Sequence, residues 1–135
     1  MFSDAQTLNT IRNGTPGSGV WMGNNGLTGK GDDCYQITTS DQNQAGAVWY
    51  NHPINFNNPF TISYQAYFGD NQSGADGMAL VFKNNNNNVL GETGKGIGYG
   101  GIPNSMSFEF DTFWNSDKGD PRPEPNEDHV AFNWL

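Results

Sequence analysis

Short runs of strand-forming residues recur along the chain, each bounded by glycine, asparagine, aspartate or proline, and no stretch carries a convincing helical pattern. The 18 glycines and 7 prolines among 135 residues supply the turns that such a pattern needs. A helical bundle would be much richer in alanine, leucine, glutamate and lysine. The length fits one domain, and the pattern predicts an all-β antiparallel sandwich.

The predicted strands differ in how clearly they alternate between apolar and polar residues. Residues 60–68 alternate over their whole length, with one dry face and one wet face, and form the clearest case. Residues 4–12 are compatible with about two helical turns or with a strand, and the pattern does not separate the two. The remaining predicted strands are 46–50, 78–83, 105–113 and 129–134.

The charge balance restricts the partners. The net charge is −8, with only 6 lysine and arginine residues, so the chain repels phosphate backbones and nucleic acid is not expected as a partner. No apolar run approaches the roughly 20 residues that cross a bilayer, so membrane insertion is not expected. A cation is the more natural partner, because gathered carboxylates repel each other unless positive charge lies between them.

Acidic residues gather at the end of the predicted strand 105–113. Glu109, Asp111, Phe113 and Asn115 share one face if the strand extends that far. Two carboxylates on one face of a half-buried strand can lean toward a shared cation. The strand end therefore predicts the first half of a metal site.

The turn after this strand adds further ligands. Asn115, Asp117 and Asp120 offer oxygens, and calcium takes 6–8 of them. His129 follows Asp128, and a histidine beside carboxylates suits manganese or zinc better than calcium. We predict a metal site between Glu109 and His129, with an acidic surface turn as the alternative.

Three motifs in this order resemble the L-type (legume-type) lectins. The metal segment is similar to theirs, residues 74–82 are similar to their Ala-Asp-Gly strand, and residues 94–105 are similar to their glycine loop. Residues 45–50 and 128–131 are closer to the bacterial branch. The resemblance covers residues 19–135 and implies a concanavalin-like jelly-roll sandwich with paired metal sites.

The resemblance also implies which residues hold the two metals. Asp111 and Asp120 would bridge both ions. The Phe113 carbonyl and the Asn115 side chain would complete a calcium site. Glu109 and His129 would complete a second site for manganese or a similar divalent ion.

A sugar site is implied beside these metals. Asp76 would accept hydrogen bonds from sugar hydroxyls, and its peptide bond to Ala75 would be cis. Asn115 and a backbone N–H near Gly98 would join it. A ring, from Phe113 or Trp114, would pack on the pyranose face.

The chain departs from the family pattern in extent and spacing. The interval from Asp120 to His129 is longer than in the plant proteins, with residues 122–127 inserted. The chain also stops at Leu135, before further strands of such a domain. We expect residues 1–135 to be the N-terminal portion of a single lectin-like domain, whose remaining strands are missing or come from a complementing chain or a homo-oligomer.

The expected function is calcium-dependent glycan binding by a non-enzymatic, secreted or cell-surface module, for adhesion or polysaccharide recognition. One alternative is a structural or adhesion module in which calcium only stabilises the fold. The other is a sandwich-fold glycoside hydrolase, which needs two carboxylates at the scissile bond. The Glu-x-Asp-x-x-Glu pattern of such enzymes begins at Glu109 and Asp111, but Trp114 occupies the third position.

Overall fold

A computed structural model describes residues 8–13, 21–22, 35–50, 52–85, 89–116 and 124–135. The chain divides into two compact units, Met1–Tyr67 and Phe68–Leu135. Within the described ranges the regular structure consists of β-strands and one 3-10 turn at Gly94–Gly96, and every strand pair is antiparallel. The described chain contains no helix long and apolar enough to cross a membrane.

The first unit contains two two-stranded sheets. Strand β1 (Leu8–Asn13) pairs with β4 (Ala45–Tyr50), and β2 (Trp21–Met22) pairs with β3 (Tyr35–Gln36). The predicted strand at 46–50 is therefore confirmed. The ambiguous segment 4–12 is a strand from Leu8 onward, paired with β4 along its length.

The second unit is built on a three-stranded sheet. Its order is β5 (Gly77–Lys83), β6 (Ser105–Asp111) and β7 (His129–Trp134). All three strands were predicted. Strand β6 ends at Asp111, two residues earlier than expected, so Phe113 and Asn115 follow the strand and do not share its face.

The predicted strand at 60–68 is wrong. The structure describes every residue of this segment and assigns no strand to it. The residues of its supposed dry face, among them Phe60, Tyr64 and Phe68, are exposed. Alternation in the sequence makes a strand only where a neighbouring strand accepts its backbone hydrogen bonds, and no described sheet includes this segment.

The two faces of the β5–β6–β7 sheet differ sharply in chemistry. Cross-strand partners point to the same face, so the register places Ser107 beside Asn133, and Asp111 beside His129, on a polar face. The opposite face is apolar and exposed, with Trp134 80% exposed. Its other exposed residues are Phe108, Val130 and Phe132.

The connection from β5 to β6 packs against the polar face. Tyr99 and Ile102 in this connection are buried, and the Tyr99 hydroxyl reaches β6 and β7 through Glu109 and Asn133. Residues 91–101 form a tight glycine-rich loop held by backbone hydrogen bonds, including Gly91 N–H to the Gly98 carbonyl at 2.7 Å. The buried part of this unit therefore lies where the candidate metal ligands are.

Candidate metal and sugar site

The end of β6 places Asp111 at the centre of the candidate site. Its side chain is only 3% exposed, although carboxylates are almost never buried without a partner. The Asp111 Oδ1 atom accepts the N–H of Phe113 at 2.8 Å. This local turn, typical of aspartate, ends the strand and directs the following residues across the strand end.

His129 reaches Asp111 through the sheet register. The two residues lie opposite each other in the β6–β7 pair, so antiparallel pairing joins groups that are 18 positions apart in the sequence. One ligand atom from each of Asp111, Glu124 and His129 lies within 4.8 Å of the others. The structure therefore brings two of the predicted ligands together with a third residue that the sequence analysis missed.

Glu124 is that missed residue. Its Oε2 accepts the Asn115 N–H at 2.5 Å. Burial raises the pKa of Glu124, and the charge of Asp111 raises it further, while the Asn115 hydrogen bond lowers it. The sequence contained one signal for this residue. Glu124 is acidic and lies in the inserted segment, which connects the end of β6 to the start of β7.

Asp117 and Asp120, which were also predicted to contribute oxygens, lie outside the described residues. The assignment of Asp120 as a bridging ligand stays a prediction. Within the described part of the chain, Glu124 is the carboxylate found beside Asp111 and His129.

Asn115 and Asp76 form a polar pair next to this cluster. The Asn115 side-chain amide donates a hydrogen bond to the Asp76 carboxylate, which lowers the pKa of Asp76. Burial is the larger influence and raises that pKa, and the charge of Asp111 raises it as well. The Asn115 Oδ1 atom is buried, and none of the described residues donates a hydrogen bond to it.

The backbone around Asp76 is tied to the end of β6. The Thr112 N–H donates to the Asp76 carbonyl at 2.9 Å. The Ala75–Asp76 peptide bond is cis, as the resemblance implies. Asp76 is thus held beside the metal segment by main-chain contacts as well as through Asn115.

Glu109 lies at the other side of Asp111. Its Oε2 accepts the hydroxyl of Tyr99, and its Oε1 is 4.0 Å from His129 Nε2. Burial, followed by the hydrogen bond to Glu109, raises the pKa of Tyr99 to about 12. His129 Nδ1 lies 3.2 Å from the Glu127 carbonyl, which leaves Nε2 facing Glu109.

The remaining predicted sugar contacts differ in availability. The rings of Phe113 and Trp114 are 45% and 54% exposed, so either can meet a ligand. The Gly98 N–H donates to the Glu92 carbonyl at 2.8 Å. A sugar hydroxyl can therefore accept from Gly98 only if that bond opens.

The residues present suit bound cations. The charge of Asp111 favours a positive partner for Glu124, and the buried amide oxygen of Asn115, which has no donor among the described residues, is an acceptor that a cation would satisfy. Oxygen donors suit calcium, whereas the Glu109–His129 side suits a transition ion. The donor set is therefore chemically compatible with both predicted metals.

Comparison with known proteins identifies a family and several relatives. The sequence profile of the family described as Legume lectin beta-barrel domain matches residues 10–134. The chain is 29% identical over 102 residues to the pesticidal crystal protein Cry22Aa of Bacillus thuringiensis, covering 76% of this chain and 13% of that protein. It is 31% identical over 99 residues to the serine-rich adhesin for platelets of Staphylococcus aureus, covering 68% of this chain and 7% of the adhesin.

These relatives are much longer than the matched region, so the chain corresponds to a small part of each of them. No solved structure gives a significant match. The family match spans all of the residues that carry the candidate site.

Proposed function

The chain belongs to the L-type lectin family, and from that membership we propose that it is a non-enzymatic module that binds glycans in a calcium-dependent manner. Membership confirms the predicted all-β, concanavalin-like sandwich class and indicates carbohydrate binding or adhesion as the general function. The calcium dependence, the site residues and the biological role are the parts that we add.

The observation that carries the proposal is the state of Asn115. One end of its amide donates to Asp76, whereas the other end is a buried oxygen without a donor among the described residues. Such an oxygen loses its hydration on burial and is destabilising unless something replaces the water. A cation beside Asp111 would satisfy it and would fix the orientation of the amide toward Asp76.

We assign the metal ligands as follows. The calcium ion would be held by Asp111, Asn115, the Phe113 carbonyl and a further carboxylate. Glu124 is our candidate for that carboxylate because it lies beside Asp111, and Asp120 is retained as a second candidate. A bound calcium ion would supply positive charge that orders these oxygens.

The second ion would be held on the other side of Asp111. Glu109 and His129 offer an oxygen and a nitrogen 4.0 Å apart, and both side chains are mostly buried. A mixed donor set of this kind favours manganese or a similar divalent ion over calcium. Asp111, between the two ligand groups, would contact both ions.

The proposed sugar site is built on Asp76 and Asn115. Asp76 would accept hydrogen bonds from sugar hydroxyls, Asn115 would donate to one, and the exposed ring of Phe113 or Trp114 would cover the apolar face of the ring. Gly98 would contribute through its loop, provided that its N–H is released from Glu92. The shallow, polar character of such a site predicts weak single-site affinity, with repetition supplying avidity.

We further propose a secreted or cell-surface location and a role in adhesion or polysaccharide recognition. The support is that a relative is named as an adhesin for platelets, although the chain matches only 7% of it. The L-type lectin family is generally non-enzymatic. Trp114 in place of a third carboxylate is in keeping with that, because a glycosidase needs an acid there.

We propose that residues 1–135 belong to one lectin-type domain, since the family match extends across both compact units. The apolar face of the β5–β6–β7 sheet is the reason to expect further polypeptide on it. In a sandwich such a face packs on a second sheet about 10 Å away. We propose that a complementing chain or a second copy covers Phe108, Phe132 and Trp134.

The proposal is tested on a glycan array with calcium and with EDTA, using wild type, Asp76→Ala and Asp70→Ala. Asp70 is an exposed aspartate of the same unit and is the matched control. We expect wild type and Asp70→Ala to bind the same glycans in calcium only, and Asp76→Ala to lose binding at least tenfold while keeping its melting temperature within about 2 °C.

Three results would contradict the proposal. If EDTA lowers the melting temperature but no glycan binds at millimolar concentration, calcium only stabilises the fold. If Asp76→Ala binds as well as wild type, the sugar site lies elsewhere. Release of reducing sugar from a polysaccharide would instead identify an enzyme.

A further inference from the structure

Tyr99 occupies an unusual position for a residue of a glycine-rich loop. It is only 8% exposed, and its hydroxyl lies between two strands of the neighbouring sheet. The hydroxyl donates to Glu109 Oε2 on β6 and accepts from Asn133 Nδ2 on β7, at 2.8 Å in the second case. Tyr99 therefore hydrogen-bonds both to Glu109 on β6 and to Asn133 on β7.

The direction of these hydrogen bonds follows from the chemistry of the three groups. The Asn133 amide nitrogen has only protons to give, and the Glu109 carboxylate has only lone pairs. A phenol is protonated at neutral pH and carries a single proton. Because the Glu109 carboxylate can only accept, the Tyr99 proton points to Glu109 Oε2, while Asn133 donates to a lone pair of the Tyr99 oxygen.

The two oxygens of Glu109 consequently have different surroundings. Oε2 is engaged by Tyr99 on the loop side, whereas Oε1 lies 4.0 Å from His129 Nε2 on the side of the candidate metal site. The hydrogen bond occupies one lone pair of Oε2 and fixes the carboxylate so that Oε1 is the oxygen on the His129 side. Rotation to present both oxygens would break the Tyr99 hydrogen bond in a buried place, which is unfavourable.

We propose that Tyr99 is a positioning residue that restricts Glu109 to one-oxygen coordination and thereby makes the Glu109–His129 site select a manganese-like ion over calcium. This inference rests on the proposed function, because it concerns the second metal of that site. Tyr99 itself contacts neither metal nor sugar in this account.

The selectivity follows from what the two ions require. Calcium takes 6–8 oxygen ligands and often binds a carboxylate through both oxygens, whereas smaller ions accept fewer donors. Removing one oxygen therefore penalises calcium more than manganese. The nitrogen of His129 adds to the same preference.

The experiment compares metal-stripped wild type with Tyr99→Phe and Tyr64→Phe. Tyr99→Phe removes only the hydroxyl and keeps the buried ring, and Tyr64→Phe makes the same chemical change in the other compact unit. Bound manganese is measured by electron paramagnetic resonance while calcium is titrated in as competitor. The readout is the calcium concentration that displaces half of the manganese, divided by the manganese concentration.

We expect this ratio to fall in Tyr99→Phe, by up to about the 10- to 100-fold that metal affinity usually loses with a partner that orients a ligand, and to stay within about twofold in Tyr64→Phe. Asn133→Asp should lower the ratio in the same direction, because a carboxylate there would compete with Glu109 for the phenol proton. Thermal unfolding of each variant in EDTA checks that the metal-free fold is retained.

The possible failures are distinguishable. If wild type binds manganese but the ratio is unchanged in Tyr99→Phe, or if manganese and calcium weaken equally, Tyr99 has only a structural role and the inference is wrong while the proposed function stands. If wild type binds calcium and glycan but no manganese, the proposed second metal site is absent and this inference is wrong. If wild type binds neither metal, the proposed function itself is contradicted.

Discussion

Asn115 is the side chain through which we propose that a bound cation acts on a sugar. Its amide nitrogen donates to Asp76, and its amide oxygen is buried with no donor among the described residues. The two ends of a planar amide are rigidly linked, so fixing the oxygen also fixes the nitrogen. The proposed role of calcium is to fix one orientation of this amide.

Glu124 is the residue whose assignment is most open to direct test. We predict that Glu124→Gln weakens calcium binding at least tenfold, because loss of a ligand should cost no less than the roughly 10-fold minimum seen when a hydrogen-bond partner of a ligand is removed. Glu127→Gln, in the same loop but exposed, should bind calcium within about twofold of wild type. Calorimetric titration of the metal-stripped variants measures both affinities.

Asp120→Asn belongs in the same series, because the family pattern assigned the bridging role to Asp120. If Asp120→Asn abolishes calcium binding while Glu124→Gln leaves it unchanged, our placement of Glu124 is wrong. The opposite result would establish that the inserted segment has moved the acidic ligand four positions along the chain.

The element that positions the site is the β5–β6 pair. Gly77 lies opposite Asp111 with a φ of 153°, and a Cβ atom there would come within 2.3 Å of the Phe110 carbonyl oxygen. Only glycine permits this close approach, which brings Asp76 next to the end of β6. The Ala-Asp-Gly motif therefore has a packing reason for its glycine.

Gly77→Ala should destabilise the chain by roughly 2 to 3 kcal/mol, since both the backbone angle and the clash oppose it. Gly69→Ala is the matched control, because its φ of 87° is also positive but nothing lies within 4 Å of a Cβ there. Urea unfolding in EDTA measures both. Equal losses of unfolding free energy in the two variants would mean that the close approach of Gly77 to Phe110 does not restrict this position to glycine.

The strands predicted from sequence were those with a strong local signal and a paired neighbour. Strands β5, β6 and β7 combine β-branched and aromatic residues with clear turn boundaries, and all three were predicted. Residues 60–68 have an equally clear alternation but pair with no described strand. Alternation describes a single segment, whereas a sheet also requires a neighbouring strand to pair with it. The local sequence carries no information on whether that neighbour exists.

The candidate site was predicted in the same uneven way. Glu109, Asp111 and Asn115 are close in sequence, so spacing alone grouped them. The contact of His129 with Asp111 depends on the β6–β7 register, and the place of Glu124 depends on the path of the inserted loop. Neither of these long-range features has a periodic signature, which is why Glu124 was missed.

At the scale of the whole molecule, the net charge of −8 is the background against which the site works. An acidic chain raises the local concentration of cations, and its carboxylates repel each other in the folded state. Binding of divalent ions at Asp111 would relieve part of that repulsion. An ion that binds only the folded state adds about 2.7 kcal/mol to the free energy of unfolding when its free concentration is a hundredfold above its Kd.

The central claim is that the Asp111 cluster holds calcium through Asn115. It is tested most directly by calorimetric titration of calcium into metal-stripped wild type and Asn115→Leu, with Asn126→Leu, an exposed position in the described part of the neighbouring loop, as the control. We predict saturable binding by wild type and by Asn126→Leu, and binding weaker by at least tenfold in Asn115→Leu. Absence of binding by wild type at millimolar calcium, or equal binding by all three proteins, would contradict the account.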